Sequence, residues 1–272
     1  MSSPAASGAE TLDALRDDLV AEQGSLDEIV AHLEDARWST PTASDGWSVA
    51  DQIGHLNYFD VSGATAIRDP HAFHASIGAL VAGMRDVGSD DFTLSRSRDL
   101  DPPALLTSWR DGRAALNAAA ATLDDSVRVP WYGPSMSAKS FVSARLMETW
   151  AHGTDVADAL GVVREATERL RHVARLGFIT RKWSYEVRSE VPPSGTVSVE
   201  LQGPHGATWR FGPSEADDLV TGPAEEFCLV VTQRRHLNDT SLVCGELGRH
   251  WLTRAQAFAG GPTMGPPPRS TS

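Results

Sequence analysis

Glu148 and His152 stand four residues apart in a largely apolar stretch, with Leu146, Met147, Trp150, Ala151, Val156 and Ala157 around them. On a helix that spacing stacks a carboxylate and an imidazole one turn apart on one face, where both can hold one divalent ion. The same spacing on an exposed helix is only an ion pair. Here the neighbours argue for burial, and a charged group buried without a partner is costly. His55 keeps similar company, among Ile53, Leu56, Tyr58 and Phe59. It offers a third ligand from a second helix, as bundles that build metal sites on facing helices do. One metal would satisfy all three groups; a hydrogen-bonded triad in the core is the rival reading. His32, His71, His74, His172, His205 and His250 read as surface or packing residues.

A second cluster is Thr232-Gln233-Arg234-Arg235-His236. Two guanidiniums and an imidazole suit a carboxylate or the polar groups of a ligand. The alternative is a solvated helix end, where cations meet the negative terminus of the helix dipole. Arg145, one turn before Glu148, is a candidate anion contact. Asp155, near one turn beyond His152, is placed to orient that imidazole. Trp131-Tyr132-Gly133-Pro134 either lines a pocket mouth or packs in the core. Cys228 and Cys244 form no CxxC pair and cannot build a disulfide framework for 272 residues. Neither lies in a nucleophile motif, so a thiol nucleophile would come from outside the chain.

The elements that must position these groups are mostly helices. Apolar residues recur at three- and four-residue steps from Thr11 to Ala36, with a bend expected near Gly24. Residues 38–47 read as a loop. Ser48 and Asp51 form a capping-box start for a helix over Val49–Arg68, which carries His55. Further helices are expected from His71 to Met84, from Asp101-Pro102-Pro103 to Leu123, and from Ser137 to Leu160 ahead of Gly161. The last carries Glu148 and His152. After residues 166–188, also helical, the pattern changes. Thr196–Leu201 alternates and is answered by Ala207–Phe211 across a Gly-rich turn, which predicts a β-hairpin. Leu219–Thr221 and Ser241–Cys244 suit short strands, and Glu225–Gln233 and Leu247–Ala259 suit helices. The fold class is therefore α+β: an N-terminal helical bundle over 9–163 and a smaller α+β domain over 164–260. Residues 1–8 and 261–272 are expected to be disordered ends.

Composition narrows the partners. A formal charge of −12, from 36 acidic and 24 basic residues, disfavours duplex nucleic acid and anionic membranes. No stretch approaches a membrane span, and the N-terminus lacks the pattern of a secretory signal. The chain reads as cytoplasmic.

Two stretches carry a family likeness. Gly46-Trp47-Ser48-Val49-Ala50-Asp51-Gln52-Ile53-Gly54-His55-Leu56 and Arg145-Leu146-Met147-Glu148-Thr149-Trp150-Ala151-His152-Gly153-Thr154-Asp155 resemble the two metal motifs of the DinB-like superfamily. The likeness is closest to its mycothiol-dependent maleylpyruvate isomerase branch, which includes an actinobacterial-type metal-binding protein group. The resemblance implies a four-helix bundle holding zinc through His55, Glu148 and His152, and a C-terminal domain similar to sterol carrier proteins. It names mycothiol as the thiol cosubstrate; the candidate contacts read from the residues themselves, Arg145, Arg234, Arg235 and His236, are then its expected binding groups. Three protein ligands leave one position open, as at catalytic zinc. Zinc favours the ionised form of a bound thiol, and the thiolate is the nucleophile. The expected activity is S-transfer or isomerisation on an electrophilic or thiol-conjugated small molecule, with S-transfer favoured because isomerisation needs one particular substrate geometry. A hydrolase using metal-activated water, and a non-enzymatic ligand-binding protein, are the competing readings.

Overall fold

The computed structural model describes residues 11–87 and 89–269. The expected frayed start at 1–8 lies outside these residues, as do residues 270–272 of the expected tail. By packing, the chain falls into two compact units, residues 1–40 with 47–146 and residues 41–46 with 147–272.

The first unit is helical. Helix α1 (Leu12–Val30) is capped by Thr11, whose hydroxyl accepts from the amide of Ala14, and it buries Leu12, Leu15, Leu19, Leu26 and Val30. The helix continues unbroken through Gly24. Helix α2 (Val49–Arg68) begins where the capping box places it. The Asp51 amide donates to Ser48 Oγ at 3.3 Å, and the Ser48 amide donates to Asp51 Oδ2 at 2.9 Å. Helices α3 (Pro70–Val87) and α4 (Ser89–Arg98) follow, then α5 (Pro102–Ala120), capped by Asp101 with proline in its first turn. A two-residue pairing of β1 (Arg128–Val129) with β2 (Met136–Ser137) leads into α6 (Ala138–Leu160).

Helices α1, α2, α5 and the first part of α6 make a four-helix bundle. The buried Asp27 of α1 accepts from Arg110 and Arg113 of α5, and Asn117 donates to Gln23 at 2.7 Å. Hydrogen bonding to Arg110 leads the causes that hold the Asp27 carboxyl below its usual value. On α2 a small residue lets three helices close up. A Cβ at Gly63 would lie 3.1 Å from both Leu116 and Phe141. Between α2 and α6 the bundle encloses an ion pair: Arg145 Nη2 donates to Asp60 Oδ1 at 2.7 Å, and both side chains are almost wholly buried.

The second unit adds the sheet. After α6, Gly161 turns the chain with φ +70, and helices α7 (Leu170–Ile179) and α8 (Arg181–Glu186) follow. Strands β3 (Val197–Gln202) and β4 (Thr208–Phe211) form the expected hairpin. Strand β5 (Asp218–Pro223) pairs in parallel on the other side of β3, with Val199 beside Val220, giving the order β4-β3-β5. Val197, Val199, Leu201, Trp209 and Val220 are buried with α9 (Ala224–Val231) and Trp251 of α10 (Glu246–Leu252). Full burial of each such aliphatic side chain is worth roughly 1.5–3 kcal/mol. Ser241–Cys244 contributes only one bridge, Val243 with Thr221, where a strand is suggested by sequence. Helix α10 also stops seven residues short of Ala259, because the chain turns away to place the Ala257 amide on the Val231 carbonyl.

Candidate metal centre

His55 projects from the middle of α2, half-buried between two aromatic rings. Its ring centroid lies 5.1 Å from Trp47 and 4.7 Å from Phe59. On α6, Glu148 and His152 meet as their spacing requires, with His152 Nε2 3.2 Å from Glu148 Oε2. One ligand atom from each of His55, Glu148 and His152 lies within 4.8 Å of the other two. A tetrahedral ion with bonds of about 2.1 Å needs its ligands about 3.4 Å apart, so small side-chain rotations suffice to close this set on one ion. Two imidazoles and a carboxylate are a donor set that suits zinc. The chemistry of the donors and their convergence thus fit the metal that the sequence motifs imply.

The remaining expected site residues are placed as follows. Arg145 lies inside the bundle, 3% exposed, with its guanidinium on Asp60. Burial pushes the Asp60 carboxyl up, against the pull of Arg145. Arg234 grips Asp155 with both edges of its fork, Nη2 to Oδ2 at 2.8 Å and Nε to Oδ1 at 3.3 Å. Asp155 Oδ2 in turn lies 3.8 Å from His152 Nδ1. Arg235 is half-buried, and its Nε is buried with no hydrogen-bond partner among the described residues. His236 accepts from the Asn238 amide through Nδ1 at 3.1 Å, so its ring caps a short 3-10 turn. Trp131 and Tyr132 join an aromatic cluster with Phe59, Phe73 and Phe141. Tyr132 donates to Ser62 at 3.2 Å. Burial, then the neighbouring Tyr132, pushes the Tyr58 phenol up.

Asp60 and the backbone role of Gln233 escape the sequence reading. Asp60 follows His55 by five positions on the same helix, and a carboxylate in so apolar a stretch signals a buried cation partner. Gln233 stands in the left-handed region with φ +61. It occupies the position after the cap of α9 that usually takes glycine, with the Gln233 amide on the Val230 carbonyl and the Arg234 amide on the Leu229 carbonyl. A side chain there costs about 1–2 kcal/mol. The Gln233 amide group offsets this through bonds to the Ala255 and Thr263 carbonyls and the Thr263 hydroxyl.

Residues 19–157 match the family model described as the mycothiol maleylpyruvate isomerase N-terminal domain. The chain belongs to this family. Two uncharacterised proteins of Mycobacterium tuberculosis, MT0041 (strain CDC 1551 / Oshkosh) and Rv0036c (strain H37Rv), are each 47% identical to it over 249 residues. The match covers 91% of this chain and 96% of each relative. Among solved structures, the mycothiol-dependent maleylpyruvate isomerase aligns with TM-score 0.57 and 16% identity, over 83% of this chain and 90% of that one. A histidine-to-alanine mutant of that enzyme aligns with TM-score 0.56. At that identity the likeness is one of fold.

Proposed function

We propose that this protein is a metal-dependent, mycothiol-using isomerase acting on a small electrophilic substrate. The observation that carries the reading is the convergence of His55, Glu148 and His152 in a member of this family. Those three residues would hold a divalent ion, with zinc suited to the donor set, and three protein donors leave room for one outside ligand. Bound there, the ion would favour the ionised form of a small thiol.

The chain's own thiols support an outside nucleophile. Cys228 is wholly buried and burial pushes its thiol far up; Cys244 is half-buried and also raised by burial. Neither is poised as a thiolate. Trp47 and Phe59 flank His55 and shed water from that side of the ring. Arg235, whose Nε has no hydrogen-bond partner among the described residues, is the candidate contact for a substrate carboxylate or a polar group of the thiol. His236 is the lesser candidate, since its Nδ1 already caps a turn. Arg145 and Arg234 act through the carboxylates they hold. In the isomerisation, the thiol adds across a cis double bond, the resulting single bond rotates, and the thiol leaves to give the trans isomer. S-transfer, the activity favoured by sequence alone, gains no support: the family model and the solved structures are described as maleylpyruvate isomerase, and the two Mycobacterium tuberculosis relatives carry no described activity.

Metal-loaded protein mixed with mycothiol and maleylpyruvate tests the reading. Conversion to the trans isomer that needs both metal and thiol is the expected result. Accumulation of a thiol conjugate would move the activity to S-transfer. Turnover of an ester or amide without any thiol would move it to hydrolysis.

A further inference from the structure

We infer that Arg234 is a positioning residue for the metal centre, acting through Asp155 on His152 and aimed by the left-handed turn at Gln233. The inference rests on the metal reading above. His152 presents Nε2 toward Glu148 and Nδ1 toward Asp155 Oδ2 at 3.8 Å. An imidazole that ligates through one nitrogen is commonly oriented by a carboxylate facing the other, which fixes the tautomer and raises the basicity of the ligand nitrogen. Asp155 has no freedom to turn away. Its side chain is 6% exposed, and both of its oxygens are taken by the fork of Arg234.

Arg234 is itself fixed from behind. Its Nη1 donates to the Thr232 carbonyl at 2.7 Å, and the buried Thr232 hydroxyl donates to the Cys228 carbonyl at 2.7 Å, inside α9. The reversal that sends Arg234 back toward Asp155 is the turn at Gln233, kept despite its strain by three side-chain bonds. Strained backbone persists where the surroundings over-determine it, and such places cluster at functional sites. A plain structural staple between α6 and the end of α9 would need the ion pair. It would not need the shared oxygen to face the second ring nitrogen of a metal-ligating histidine.

The test uses the full-length protein, stripped of metal and titrated with Co2+ against a chromophoric chelator. Its readouts are the dissociation constant and the visible absorption of the bound ion. Wild type should bind one equivalent, and His152→Ala should bind none. Arg234→Gln and Asp155→Asn should bind roughly 10–100-fold more weakly, with shifted visible bands. Arg234→Lys keeps the charge but not the fork and should fall between them and wild type. Arg210→Gln breaks the surface pair with Glu200 and should match wild type. Wild-type affinity and spectrum in folded Arg234→Gln and Asp155→Asn would overturn the inference and leave the metal reading standing. If Arg234→Gln does not fold, wild-type affinity and spectrum in Arg234→Lys overturns it equally. Absence of His152-dependent binding in wild type would instead defeat the metal reading, and this inference with it.

Discussion

Spacing brings Glu148 and His152 together on one helix face, and the first prediction follows from the metal role proposed for them. His152→Ala should lose most of its metal by elemental analysis of freshly purified protein, and Glu148→Gln should lose a large part. The proper control is His71→Ala, because His71 is exposed, whereas His172 is 3% exposed and its loss would disturb packing. Metal affinity should also fall on acidification, since protons compete for the ligand atoms. At this scale much was legible beforehand. The i,i+4 pair and its apolar neighbours single out Glu148 and His152, the similar company of His55 on a second helix offers it as the third member, and the likeness to two motifs joins all three. Arg145 and Arg234 are legible as cations that need anions. Which anions is not, because Asp60 and Asp155 are chosen by how helices and loops meet, and no local pattern records that.

Elements show where local signals suffice. Helix α2 starts at Val49 because Ser48 and Asp51 cap it within four residues, so its beginning is written in the sequence. Helix α4 has no such pattern: Ser89–Arg98 is polar, and its buried Leu94 and Ser97 lie against Gly54 of α2. The parallel pairing of β5 to β3 is likewise non-local. Glycines give a sharp pair of predictions. Nothing lies within 4 Å of a Cβ built on Gly24, so Gly24→Ala should raise stability in urea by about 0.5–1 kcal/mol. A Cβ on Gly177 would meet Val231 Cγ2 at 2.6 Å, so Gly177→Ala should lower it by about 1–3 kcal/mol through overpacking of α7 on α9. At the turn after α9, Gln233→Ala loses the side-chain bonds and keeps the strain. It should be less stable than Gln233→Gly by about 1 kcal/mol in the same assay.

Across the whole molecule, charge and thiol chemistry set the remaining expectations. Asp27 is held below its usual value by hydrogen bonds and charge from Arg110 and Arg113, so it stabilises the fold fully above its unfolded pKa of about 3.9. That contribution is lost as pH falls through the lower folded value. Urea midpoints measured down through pH 4 should therefore fall less steeply in Asp27→Asn than in wild type. Activity should survive replacement of Cys228 by alanine and Cys244 by serine, and vanish without an added thiol; the reverse outcome would point to an internal nucleophile. The segment after α10 has a further consequence. Residues 261–269 carry no helix or strand, yet Thr263 bonds Gln233, Gln256 and Arg188. A protease that nicks the chain after Gly260 would remove those tethers and leave His55, Glu148 and His152, the proposed ligands, in place. Gln233 would then hold its strained turn with fewer bonds, and Arg234 would lose its aim. Clipped and intact protein should separate by metal affinity, a form of wear that a gel would show as a loss of about one kilodalton.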